Sequence, residues 1–191
     1  NYQASFLDTG TVSLISTGDV QITNSSYSNG CNDGYTSITR TVDTQTKDIP
    51  SLLHVFSAGN SNNNNCGYGA GDQWGNITGG HKQGKNVIAT ANVFFDGSLV
   101  NSSSRGPAHD GRIKPDIAAN GQNQNSTTEN NQYQSFGGTS GAAPGIAGIS
   151  AQLYEAYADA NGGALPQSAL IKATLLNTAN EAGNIGPDYK F

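Results

Sequence analysis

Three short apolar runs constrain what this chain can fold into. K-P-D-I-A-A-N-G (114–121) is a short strand with a turn, while L-L-H-V-F-S-A-G-N (52–60) and N-V-I-A-T-A-N-V-F-F (86–95) are continuous rather than alternating. Strands buried on both faces read this way. V-Q-I-T-N-S-S-Y-S, from Val20, begins with period-2 alternation and passes into a loop. Helical patterns lie between and after these runs. A helix through Thr41–Lys47 fits despite its threonines. From Ser140 to about Ala158 small residues give way to Ile146, Ile149, Leu153, Tyr154 and Tyr157, and N-G-G stops the pattern. L-P-Q-S-A-L-I-K-A-T-L-L-N-T-A follows as another helix, with Pro166 expected in its first turn. Short strands interleaved with helices favour an α/β parallel sheet over a β-sandwich. At 191 residues the chain is long enough for one domain with a real core.

Composition narrows the partners. Only 12% of residues are charged and the net charge is −5. There is no Lys/Arg cluster, which argues against nucleic acid, and no apolar run of membrane-span length. Cys31 and Cys66 fit no metal motif, which needs more ligands at close spacing. One disulfide in an exported protein and two unrelated buried thiols both remain open on spacing alone.

The chemistry centres on G-G-T-S-G-A-A-P-G-I-A-G, residues 137–148. Ser140 sits between small residues at the expected mouth of a helix, where unpaired backbone N–H groups can stabilise an oxyanion. Pro144 is expected in the first turn, where a missing N–H costs little. Taken alone, the stretch reads equally as a plain N-cap on a close-packed helix. S-A-G-N, 57–60, ends a buried strand, where sites of parallel sheets open. Asn60 there could donate a side-chain N–H to an oxyanion.

These two blocks, with S-S-R-G-P-A-H-D-G-R-I-K-P-D-I-A-A-N-G (103–121) between them, resemble the subtilisin-like serine proteases, or subtilases. The resemblance runs from about Val20 to Phe191. It implies a three-layer α/β fold with a mainly parallel sheet flanked by helices. It implies a serine endopeptidase acting on polypeptides, with Ser140 as nucleophile and Asn60 as oxyanion donor. It also implies that Ser26, Tyr27 and Ser28 lie along one side of the pocket for the substrate side chain and Ala58 and Gly59 opposite, with the substrate backbone pairing as an added strand. Sedolisins, a neighbouring family, place aspartate at the oxyanion position, so Asn60 argues against them. Three positions depart from the family's pattern: Ser28 where glycine is usual, Gly141 where a larger residue is common, and Asn120 where proline is usual.

The family orders its triad Asp, His, Ser, with the histidine in H-G-T ahead of the substrate strand. None of His54, His81 and His109 is followed by Gly-Thr, and all three follow that strand. His54 reads as a packed core residue, and His81 and His109 as solvated loop residues. F-L-D-T-G (6–10) mimics the family's aspartate motif, but no histidine lies between Asp8 and the substrate strand, and a turn is the plainer reading. Residues 1–191 are therefore expected to be a single partial catalytic domain, completed by an N-terminal segment or chain carrying the triad Asp and His. A catalytically silent module of the same fold is the alternative. The resemblance makes the strands leading to Cys31 and Cys66 parallel neighbours, which would let the two cysteines pair and implies a secreted or extracellular protein. No cofactor or metal is expected to be required. The loop Ser61–Asp72 offers calcium many oxygens but only one carboxylate, Asp72, which weighs against a tight site.

Overall fold

The computed structural model describes residues 9–18, 20–28, 30–31, 34–66, 69–183, 186 and 188–189; Asp8 lies outside them. Four strands form a parallel sheet in the order β1 (Ile22–Ser25), β2 (Leu53–Ser57), β3 (Ile88–Val93), β4 (Ile117–Asn120). Among the described residues the helices are α1 (Thr9–Ser16), α2 (Ser37–Asp48), α3 (Thr139–Ala160) and α4 (Ser168–Thr178).

The layers follow from the strand period. Leu53 and Val55 of β2, with Ile88 of β3, pack against Ala143, Ile146 and Tyr154 of α3 and Ile171 and Leu175 of α4. Phe56, on the opposite face, packs with Val42 of α2 and with Val87. Helices thus cover both faces, and β2 and β3 are buried along their whole length. That is why both read as mostly apolar runs without alternation.

Helix α2 is longer than Thr41–Lys47 because its threonines serve it. Thr36 N–H donates to Thr39 Oγ1 (3.0 Å) at the start, and the buried Thr46 hydroxyl returns its proton to Val42 O (3.2 Å). Pro166 precedes the N-cap Gln167 rather than lying in the first turn of α4. The segment before α3 holds an unexpected antiparallel ribbon, β5 (Gln124–Thr128) and β6 (Gln132–Phe136). Its polar sequence, Q-N-S-T-T and Q-Y-Q-S-F, lacks the apolar alternation that marks a half-buried strand, and β6 is exposed throughout.

Cys31 and Cys66 form a disulfide with their Cα atoms 5.6 Å apart. It ties the loop leaving β1 to the loop leaving β2. Among the described residues no helix is long and apolar enough to cross a membrane.

Candidate active site

The loops after β1 and β2 and the first turn of α3 meet at the carboxyl end of the sheet. Thr139, the first residue of α3, ties them together. Its N–H and its hydroxyl both donate to Asn60 Oδ1, at 2.9 and 3.1 Å, and its hydroxyl accepts from Gly59 N–H at 3.1 Å. Both donors land on the amide oxygen of Asn60, so its Nδ2 is the end left to donate. That nitrogen lies against Gly138, where a Cβ would come within 2.9 Å of it. The preceding glycines are thus what let the Asn60 amide sit beside the start of α3.

The amides of that first turn are divided unequally. Thr139 N–H goes to Asn60, and those of Gly141 and Ala142 go to Gly138 O at 2.9 and 3.3 Å. Ser140 N–H has no acceptor among the described residues. The half-buried Ser140 side chain makes no hydrogen bond there either.

Pro144 is the sixth residue of α3, not part of its first turn. An N–H at position 144 would have bonded Ser140 O, so proline leaves that carbonyl without its helical partner. Ser26 Oγ donates to it instead, at 3.3 Å. The strip 26–28 after β1 is therefore hydrogen-bonded directly to the serine at the helix mouth. On its far side, Ser28 Oγ donates to Thr78 Oγ1 at 3.2 Å. Ala58 is tied to the same residue, accepting from Thr78 N–H at 3.1 Å. Through Thr78, Ser28 is thus linked to Ala58.

The departures from the family pattern have local reasons. A Cβ on Gly141 would lie 2.8 Å from Gly121 O, so this conformation has no room for a larger residue there. Asn120 Nδ2 donates to Val93 O at 3.1 Å, fastening the end of β4 to β3.

The histidines divide differently from expectation. His54 is a core residue, with Nδ1 2.6 Å from Thr23 Oγ1 and Nε2 3.0 Å from Gln45 Oε1. His109 is exposed. His81, expected in solvent, is fully buried: its ring stacks on Tyr27 (4.8 Å between centroids) and meets Phe56 edge-on. The short 3₁₀ turn Gly80–Gln83 packs under α2, and this carries His81 inside. No histidine hydrogen-bonds to Ser140 among the described residues. Burial pushes His54 down to about 4, and burial with Lys82 close by pushes His81 down to about 3.

These shifts make stability fall in acid. The unfolded chain takes up protons near pH 6.5, before the folded one does, so stability is lost as pH drops from about 6.5 toward 4 and 3. On the order of 3 kcal/mol for His54 and about 5 kcal/mol for His81 is at stake. Thermal melts across this range should show a steep decline in Tm, and the decline should become shallower in His54→Gln. A flat profile between pH 6.5 and 4 would contradict the burial of both rings.

The candidate calcium loop does not fit a tight site. Asp72 Oδ1 is engaged by Asn65 Nδ2 at 3.0 Å, and no group of three His, Cys, Asp or Glu converges among the described residues.

Comparison with known proteins bears on this site. The model of the subtilase family, peptidase S8, matches residues 4–191. C5a peptidase of Streptococcus pyogenes is 51% identical over 59 residues, 31% of this chain and 5% of that protein. The structure of the prenylagaramide maturation protease PagA superposes with a TM-score of 0.71 at 19% identity, over 96% of this chain and 60% of that one. The self-cleaved protease domain of PatA gives 0.68 at 18% identity, over 90% and 58%. The chain thus spans under two thirds of each of these relatives.

Proposed function

The chain belongs to the subtilase family, and on that premise we propose that it is the nucleophile-bearing part of a serine endopeptidase catalytic domain. Ser140 Oγ attacks the peptide carbonyl carbon. The resulting oxyanion accepts hydrogen bonds from Ser140 N–H and Asn60 Nδ2. The C–N bond then breaks, leaving an acyl ester on Ser140 that water hydrolyses. The Ser140 proton passes to a histidine and on to the leaving amine. That histidine, and the aspartate that orients it, come from a segment outside this chain. The substrate backbone lies along Ser26, Tyr27 and Ser28, its side chain entering toward Ala58 and Gly59.

The single observation that carries this reading is the pair of unspent donors. Ser140 N–H has no acceptor among the described residues, and Asn60 turns its oxygen inward onto Thr139. Asn60 Oδ1 caps Thr139 N–H, yet Ser140 N–H and Asn60 Nδ2 are left over among the described residues.

A segment joining at β1 is also supported. Among the described residues β1 pairs only with β2, so its other edge offers backbone groups to a further strand. Beside it lies an apolar groove of about 380 Å³, lined by Val20, Ile22, Ala151, Tyr154, Ala158 and Leu165. Disulfides persist in oxidising compartments, so Cys31–Cys66 favours a secreted protein.

The test is labelling with a fluorophosphonate serine probe, together with the mass of every chain present. Labelled Ser140 beside a segment carrying the histidine is the expected outcome. The second reading, a catalytically silent module, draws on the want of a histidine hydrogen-bonded to Ser140 among the described residues. It predicts no labelling and no such segment.

Asn60→Ala is expected to lower kcat by about 10² to 10³-fold with little change in KM, because the donor acts on charge present only in the transition state. Steady-state rates on one peptide decide it. A kcat within fivefold of the parent would remove Asn60 from the oxyanion site.

A further inference from the structure

Lys82 is fully buried and has no counter-ion among the described residues. Its ammonium donates to Thr78 Oγ1 at 2.8 Å, which accounts for one of its three N–H groups. Burial alone pushes it down to about 7. An uncompensated ammonium costs several kcal/mol to bury, and no carboxylate pairs with Lys82 among the described residues.

Its place in the site supplies a reason. Thr78 Oγ1 accepts from Lys82 Nζ and from Ser28 Oγ, and donates to Ala58 O at 3.4 Å. A Cβ on Gly59 would come within 2.4 Å of the same oxygen. The Thr78 hydroxyl is therefore the floor of the slot between Ser26–Ser28 and Ala58–Gly59, and Lys82 stands directly behind that floor. The imidazole next to it, His81, is neutral and packed under Tyr27, so it does not supply a second cation.

We propose that Lys82 makes this slot selective for a carboxylate, so that the substrate residue on the acyl side of the scissile bond is aspartate or glutamate. The inference rests on the endopeptidase reading above. The Ser28 hydroxyl holds the carboxylate's place on Thr78. When an acidic side chain enters, that hydroxyl turns to donate to it, and Lys82 completes its hydrogen bonding on the same oxygens. A neutral side chain of the same shape leaves Lys82 buried and unpaired, and binds less well.

The test uses the active, full-length protein that carries this chain. Two peptides differing only by Glu or Gln at that position are compared, with Ser140→Ala as the blank. The expected kcat/KM ratio of Glu to Gln is about tenfold or more. Because the charged contact is lost, and the hydrogen bond from Lys82 to Thr78 goes with it, Lys82→Met should bring the ratio to about one. It should also raise Tm, because a buried unpaired charge has been replaced by an apolar chain of similar length. Ser140-dependent cleavage with a Glu to Gln ratio near one in the parent overturns the inference and leaves the endopeptidase reading standing. No Ser140-dependent cleavage of either peptide overturns both. If Lys82→Met does not fold, the parent's ratio decides.

Discussion

Ser140→Ala is expected to lower peptide hydrolysis by about 10⁶-fold, the scale on which a serine nucleophile and its base act as a unit. The fold should not notice the change. Ser140 Oγ makes no hydrogen bond among the described residues, and alanine is the better helix former. The groups that fix the helix mouth are untouched: Thr139 still bonds Asn60, and Ser26 Oγ still holds the carbonyl of residue 140. The expected result is therefore a lost rate and lost fluorophosphonate labelling at an unchanged or slightly higher Tm. Rates are measured on a peptide substrate with the full-length protein, and thermal melts on the same samples. Labelling of the variant at the parent's rate would place the nucleophile elsewhere.

The largest expected effect on stability lies at the opposite end of the sheet. Asp116, just ahead of β4, is buried with Oδ2 2.5 Å from Lys114 Nζ and Oδ1 2.7 Å from Lys172 Nζ. Oδ2 also accepts from Ala89 N–H at 2.7 Å, at the edge of β3. Burial pushes this carboxyl up, but the two ammonium groups outweigh burial and hold it below the usual range, so it is charged at neutral pH. Both lysines also donate to Val87 O, at 3.2 and 2.8 Å. One carboxylate thus joins β3, β4 and α4. Asp116→Ala leaves the wholly buried Lys114 without a counter-ion and Ala89 N–H without an acceptor. The expected loss is about 3–5 kcal/mol, enough to threaten folding at 37 °C. Urea denaturation of parent and variant measures it. A loss under 1 kcal/mol would show that the ion cluster is not what fastens α4 to the sheet. The parent's own pH dependence has the matching sign: with the folded-state pKa lowered, this stabilisation is present above the ordinary carboxylate range and is lost as pH falls.

Much of the sheet was legible because burial on both faces writes itself into composition. The runs around Val55 and Ala91 are mostly apolar and do not alternate, since each strand lies between two layers of helix. Helix α3 was legible for a related reason: Ala142, Ala143, Ile146, Ser150 and Tyr154 form the stripe that faces the strands. The ribbon β5–β6 was not, because a polar, exposed two-stranded unit carries no hydrophobic period. His81 was misread for a different reason. It sits among glycines and polar residues that look like surface, and its burial comes from the turn 80–83 packing under an element far away in sequence.

For the candidate site, local sequence determined which side chains could act. Ser140 and Asn60 stand out because a nucleophile between glycines and an asparagine at a strand end are short-range patterns. The resemblance also foresaw the pairing of Cys31 with Cys66, by making their strands neighbours. Tertiary structure alone decided which hydrogen bonds are already spent. Asn60 Oδ1 is taken by Thr139 and Ser140 O by Ser26, while Ser140 N–H is left over. It also decided that Lys82, one lysine in a polar loop of the sequence, stands buried behind Thr78 with no counter-ion among the described residues. A hydrogen bond or an unpaired charge is a relation between residues distant in the chain, and only folding settles which groups meet.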